Sequence, residues 1–174
     1  MESINIIGAL PYYDEAREDC HLIKDGDAEA INRQAARIAD CLPETDYILI
    51  PIPGRHGIAI SSKQFAEALA LIINGQEESR TTATVLDCLF SNIHPSFCEL
   101  KEAGKGIEDI PLTMYIKGDM KADFEKAQKS GKTICLVDNV VDTGKTIRAA
   151  FKVTGNIPVI AVGDTGNHNN NNQV

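Results

Sequence analysis

Ile134–Thr146 of this chain read I-C-L-V-D-N-V-V-D-T-G-K-T. Ile134, Leu136 and Val137 form a buried apolar strand that ends at Asp138, and Asp142 to Thr146 then open a helix. The first N–H groups of a helix have no partner inside it and sit at the positive end of its dipole, so this turn favours an anion. Gly144 lets the backbone approach a phosphate closely, and the hydroxyls of Thr143 and Thr146 donate to phosphate oxygens. Asp138 and Asp142 suit ribose hydroxyls or a metal. The order of residue types predicts a pocket for a phosphorylated sugar.

The G-K-T within this stretch does not make a nucleotide-triphosphate P-loop. That motif needs a glycine five residues before the glycine of G-K-T, and the position holds Asn139. Asp138 and Asp142 would also lie inside a loop that has to wrap polyphosphate, and they would repel it.

Around this stretch, short β-rich runs alternate with helical periodicity, which predicts an α/β fold with a mostly parallel sheet. Ile4 to Ala9 reads as a first extended segment. Asp27 to Cys41 reads as a helix with Ile31, Ala35, Ile38 and Leu42 on one face. Tyr47 to Ile52 is a β-branched strand running into P-I-P-G-R-H-G. A helix follows from Ser61, with Phe65, Leu69 and Ile72 inward, Ser61 and Gln64 at capping-box spacing, and a stop at Asn74-Gly75. Thr82 to Leu89 is the next strand. From Phe90 to Gly131 only a short strand at Leu112 to Ile116 and a helix near Ala122 to Lys129 are legible. A connection that long between core strands is uncommon unless it is functional, and residues 91 to 125 are expected to form a lid. Thr133 to Asp138 is the motif strand, Lys145 to Val153 its helix and Ile157 to Val162 the last strand.

Strands in open α/β sheets present ligands at their carboxyl ends, where the winding direction reverses. The loop after Tyr47 to Ile52 emerges there too. In it, Gly54 and Gly57 give backbone freedom, Arg55 offers a bidentate fork for phosphate and His56 a further donor. The alternative for these residues is an ordinary turn with solvated side chains. Lys145 sits near a positive dipole end, which suits a neighbouring anion. Lys101, Lys105 and Lys117 lie in the long connection, either to neutralise pyrophosphate on closure or as ordinary solvated loop charge. Cys88, His94 and Cys98 form a weak metal-ligand set, since Pro95 interrupts it and a fourth ligand is missing.

The chain has 174 residues, 43% hydrophobic and 24% charged, so it is large enough for one domain with a proper core. Residues 1–166 read as that domain and the Asn-rich 167–174 as a disordered tail. A net charge of −8 argues against nucleic acid as a partner, which needs a basic face. No apolar run is long enough to span a bilayer, and no signal-peptide pattern opens the chain, so no membrane partner is expected. Five cysteines without CxxC spacing imply reduced thiols and a cytoplasmic location.

Four apolar residues, an acidic position, Asn139, two more apolar residues and then D-T-G-K-T resemble the 5-phosphoribosyl-1-pyrophosphate (PRPP) binding motif of the type I phosphoribosyltransferases. The likeness is specific at 134 to 146, weaker at 48 to 59, and topological over roughly 45 to 163. The family has a second acidic residue where this chain has Asn139. The resemblance implies a transferase acting on Mg²⁺-PRPP, in which a nitrogen nucleophile such as a purine base displaces pyrophosphate. It implies that Thr143, Gly144, Lys145 and Thr146 cradle the 5-phosphate, and that Asp138 and Asn139 face the ribose, Asp138 with the metal. It implies that Gly54, Arg55 and His56 hold pyrophosphate. Asp142 would serve as a catalytic base beside Asp138, which leans toward a 6-oxopurine acceptor. The resemblance also implies a three-layer fold, the mostly parallel sheet covered by helices on both faces, and domains of this family are often homodimers. Asn139 keeps a second reading open, that of a non-catalytic sensor of PRPP or a nucleotide.

Overall fold

The computed structural model describes residues 3–76, 80–107 and 110–168. In chain order the strands and helices are β1 (Ile6–Ile7), β2 (Leu10–Pro11), α1 (Arg17–Lys24), α2 (Ala28–Ala39), β3 (Tyr47–Pro51), α3 (Ser61–Asn74), β4 (Ala83–Val85), β5 (Leu89–Ser91), α4 (Phe97–Glu102), β6 (Met114–Ile116), α5 (Lys121–Gln128), β7 (Thr133–Val141), α6 (Lys145–Thr154) and β8 (Val159–Asp164). A single π-type turn, Tyr12–Ala16, leads into α1.

The main sheet runs β4-β3-β7-β8-β1, with β2 prolonging the β1 edge against β8, and every pairing in it is parallel. The protein is therefore α/β with a parallel central sheet flanked by helices. Alternation along each strand divides the core. Tyr47, Leu49, Cys135, Val137, Ile160 and Val162 face α1, α2 and α3. Ile48, Ile50, Leu136, Val159 and Ala161 face α5, α6 and the β5–β6 pair. Because both faces are covered, the strands read as unbroken apolar runs.

The winding direction reverses between β3 and β7. From β3 the chain passes through α3 to β4 on one side, and from β7 through α6 to β8 on the other. Neighbouring strands therefore send their carboxyl-terminal loops to opposite faces and leave a crevice between them.

Several expectations change. The run from Thr82 to Leu89 is two strands, and the second leaves the main sheet to pair antiparallel with β6. The motif strand continues past Asp138 to Val141, because Val140 and Val141 still pair with Gly163 and Asp164. Ser61 makes no cap for α3, whose first turn carries no side-chain cap hydrogen bond. A side-chain cap is found instead on α2, where Asp27 accepts from the Ala30 amide at 2.8 Å. Ile73 is buried on α3 and Ile72 only partly. Among the described residues no helix is long and apolar enough to cross a membrane. Cys20, Cys41, Cys88 and Cys135 are free thiols.

Candidate functional site

A cleft of about 540 Å³ opens at the carboxyl end of β7, and every residue from Asp138 to Thr146 lines it. The apolar pull of Val137 and Val141, both fully buried, fixes which side chains at the strand end are left to face the cleft. Gly144 then turns the chain with φ of 74°, a conformation that favours glycine, and caps α6. The first bond of the helix ladder runs from the Arg148 amide to the Gly144 carbonyl at 2.9 Å, so the amides of Lys145, Thr146 and Ile147 lie ahead of the ladder. Thr143 and Thr146 are partly accessible beside them.

Gly144 has a packing reason as well as the one expected. A Cβ there would lie 2.6 Å from Ile4 Cδ1, 3.0 Å from Arg148 Nη1 and 3.2 Å from His168 Cβ. The face that a Cβ would occupy is turned to protein, so packing of the loop by itself requires glycine here. Arg148 braces the same loop, donating to the Thr143 carbonyl at 2.6 Å and to the His168 carbonyl at 3.2 Å.

Two carboxylates in the cleft are driven in opposite directions. Burial pushes Asp138 up to about 7, against hydrogen bonds from the Asn139 and Val140 amides that pull it down. For Asp142 burial raises, but hydrogen bonds from Lys101, Asn167 and Thr165 outweigh it and hold the carboxyl below its ordinary range. Thr165 Oγ1 donates to its Oδ1 at 2.8 Å and Asn167 Nδ2 to the same oxygen at 2.7 Å, while Lys101 Nζ pairs with Oδ2. The two acids are thereby differentiated at neutral pH: Asp138 is poised to exchange a proton and Asp142 is ionised.

Asn139 is 9% exposed, and its Nδ2 donates to Ser61 Oγ at 2.8 Å. Its Oδ1 is buried and has no hydrogen-bond partner among the described residues. Ser61, read as a helix cap, is instead a tether that draws the end of β7 to the start of α3. Cys20 completes this wall, its thiol held protonated by burial, with its value raised to about 12, and directed at the Asn139 carbonyl at 3.6 Å.

The long connection folds over the cleft. Phe97, Lys101 and Glu102 of α4 and Ile107 line it. Lys145 Nζ donates to the Ile107 carbonyl and lies 5.3 Å from the Phe97 ring centroid, and that ring stacks on His94 at 4.4 Å. Lys145 therefore reaches toward the lid. Cys88 is buried in the core and the Cys98 side chain lies outside the described residues, so the Cys88–His94–Cys98 set is not assembled in what is described.

Gly54, Arg55 and His56 do not line the cleft. Arg55 is paired with Glu99 at 2.9 Å, and its carbonyl accepts from the His94 amide. Gly57 has φ of 84°, and a Cβ on it would sit 2.6 Å from the Ser91 carbonyl oxygen, so it serves the docking of this loop on β5. The residues that the sequence reading missed are Ser61, Arg148, Thr165 and Asn167, and the wall formed by Tyr12, Tyr13, Arg17, His21 and Lys24. Asn167 and His168 belong to the stretch assigned to a tail, yet they are packed on the motif loop. Residues 169–174 lie outside the described residues.

Magnesium fits the residues in a limited way. Among the described residues there is no cluster of three acidic, His or Cys side chains. Mg²⁺ commonly uses one or two carboxylates and takes its remaining ligands from phosphates and water. Asp138, an under-compensated carboxylate on the cleft floor, meets that requirement. Compared with known proteins, the sequence matches no protein-family model and no curated protein.

Proposed function

We propose that this chain has a type I phosphoribosyltransferase-like fold, binds PRPP in the cleft above β7 and transfers its phosphoribosyl group to a nitrogen nucleophile. The observation that carries this reading is the position of the D-T-G-K-T loop at the reversal of winding, with three helix amides ahead of the ladder and a carboxylate on the floor. The 5-phosphate would sit on Thr143 to Thr146, with its charge met by the helix dipole. The ribose would lie over Asp138. Asp138 would hold magnesium, which neutralises charge on the pyrophosphate when bound.

In the transfer the bond from ribose C1 to the acceptor nitrogen forms as the bond from C1 to pyrophosphate oxygen breaks. The proton of the nitrogen passes to a cleft carboxylate. Asp142 becomes competent for that only when Lys101 withdraws from its Oδ2, since a carboxylate holding three donors accepts a proton poorly. Lid closure over the reacting groups would exclude water and limit PRPP hydrolysis. With Arg55 turned to Glu99, the pyrophosphate grip falls to the lid, where Lys101 is the nearest cation to the motif.

A second reading, a PRPP- or nucleotide-sensing protein without turnover, is favoured by two contacts. Asn139 carries no charge and is tied to Ser61, and Asp142 is paired with Lys101. Release of pyrophosphate from Mg-PRPP against a panel of nucleobases separates the two. Turnover with any base removes the sensor; binding without turnover removes the transferase.

A further inference from the structure

The wall opposite the phosphate cradle is built from the N-terminal segment. Arg17, Cys20, His21 and Lys24 occupy one stripe of α1 at helical spacing, and all four line the cleft together with Tyr12 and Tyr13. The rings of Tyr12 and Tyr13 meet edge to face, with centroids 5.2 Å apart. Tyr12 Oη is 3.3 Å from His21 Nε2, which links the aromatic pair to the basic stripe. Among the described residues neither Arg17 nor Lys24 forms an ion pair. A chain with net charge −8 thus turns two uncompensated cations and a histidine into one cleft.

This wall is on the far side of β7 from the Arg55 loop. Gly163 of β8 makes it possible, since a Cβ there would lie 3.0 Å from Cys20 Sγ, 3.1 Å from Tyr12 Cδ2 and 3.2 Å from Ala16 Cβ. The N-terminal segment is therefore seated directly on the end of β8, where the second ligand of the cleft would meet it. A phosphate on Thr143 to Thr146 leaves this wall free for that ligand.

We propose that the acceptor is a planar ring bearing a negatively charged group, a heteroaromatic carboxylate, with the ring against Tyr12 and Tyr13 and the carboxylate on Arg17 and Lys24. This rests on the PRPP reading for the ligand's role, but its charge preference does not. Guanidinium forks match carboxylates in two-point contact, and a neutral ring would gain nothing from either cation. Asp138 and Glu102 also face the cleft, so a cationic acceptor has its own attraction, and the test includes one.

The test is calorimetry on the full chain, with and without saturating Mg-PRPP, using nicotinate against nicotinamide, uracil-6-carboxylate against uracil, and 1-methylnicotinamide as the cation. The expected result is that each carboxylate binds about 10-fold or more tightly than its neutral partner. The double variant Arg17→Gln/Lys24→Gln should lose that preference, with Mg-PRPP affinity within about twofold of wild type. Both side chains are exposed, and an unchanged melting temperature verifies folding. Equal or tighter binding of the neutral or cationic rings under both conditions overturns the proposal. So does a parallel loss of Mg-PRPP affinity in the double variant, which would assign the stripe to the phosphates of PRPP. If wild type does not bind Mg-PRPP at all, the transferase reading fails, and the acceptor pairs still decide the charge preference.

Discussion

Two loops leave adjacent strands at the same end of the sheet, and they have different fates. The loop after β7 lines the cleft over its whole length, braced from behind by Arg148, Thr165 and Asn167. The loop after β3 spends its donors on itself and on its neighbours. The Gly54 amide goes to the Ile58 carbonyl, the Gly57 amide to the Gly54 carbonyl, and the Arg55 guanidinium to Glu99. Both contain glycine and a cation, and both stand where ligands bind in such sheets. What separates them is their distance from a helix start: the Thr146 and Ile147 amides lie ahead of the α6 ladder at the end of the motif itself, while the Lys145 amide donates to Thr143 Oγ1 at 3.4 Å. A phosphate-suited composition is therefore a weak guide unless it lies directly at a helix start, as D-T-G-K-T does at α6 and as P-G-R-H-G, which ends at Gly57 ahead of Ser61, does not at α3.

The strongest way to break this comparison is to substitute one glycine in each loop. Gly144→Val forces a β-branched residue to positive φ and into Ile4, and is expected to lower sugar-phosphate affinity at least about 100-fold while destabilising the fold by about 3 kcal/mol. Gly54→Ala, at ordinary φ with its nearest contact at 3.9 Å, should leave affinity within about twofold. Calorimetry with Mg-PRPP and chemical denaturation read both.

Asp138 gives the next largest effect, and its sign is fixed by linkage. Its folded value, about 7, lies above the ordinary 3.8, so the folded chain binds more protons between those values and loses stability as pH rises through that window. Asp138→Asn removes the cost. Denaturation midpoints should rise at pH 8 by at most about 4 kcal/mol, less because Asp138 is only half-buried and partly screened by solvent, with little change at pH 4. A variant destabilised at pH 8 would mean that the carboxylate is compensated.

The D-T-G-K-T loop and the Arg55 loop are compared directly by side chains. Thr143→Ala/Thr146→Ala is expected to weaken Mg-PRPP by about 10-fold, the loss of two hydroxyl donors to a charged group. Arg55→Ala should change it less than about twofold. Equal losses would show that the Arg55 loop swings into the cleft on binding.

The smallest effect belongs to the lid. Lys101 and Asp142 are both about one-third exposed, 38% and 34%, so Lys101→Met should cost under about 1 kcal/mol. It should nevertheless speed proteolytic cleavage near α4, since the pair fastens that segment to the motif loop.

The fold was readable where periodicity was strong. The apolar runs at Tyr47 to Pro51 and Thr133 to Val137, and the helical stripes of Ala28–Ala39 and Lys145–Thr154, follow from burial on one or two faces. The run at 82 to 89 misled because the chain leaves the sheet within it: Cys88 and Leu89 are buried in a satellite pair, and apolar residues do not announce which sheet they join. The site was legible only in part, for a physical reason. Asp142 lies in a motif, but what holds it comes from Thr165, Asn167 and Lys101, distant in sequence and ordinary in type. The α1 stripe of Arg17, His21 and Lys24 was available in the helical period of the sequence, yet nothing local to it indicates that it faces a cleft.

The account depends most on PRPP occupying the cleft above β7. The direct measurement is titration of Mg-PRPP into the wild-type chain by calorimetry, repeated with saturating ribose 5-phosphate and, separately, with Mg-ATP in place of PRPP. The account predicts saturable binding at one site, competed by ribose 5-phosphate because the 5-phosphate cradle is shared, and no binding of Mg-ATP. Absence of Mg-PRPP binding, or Mg-ATP binding that ribose 5-phosphate does not displace, would contradict it.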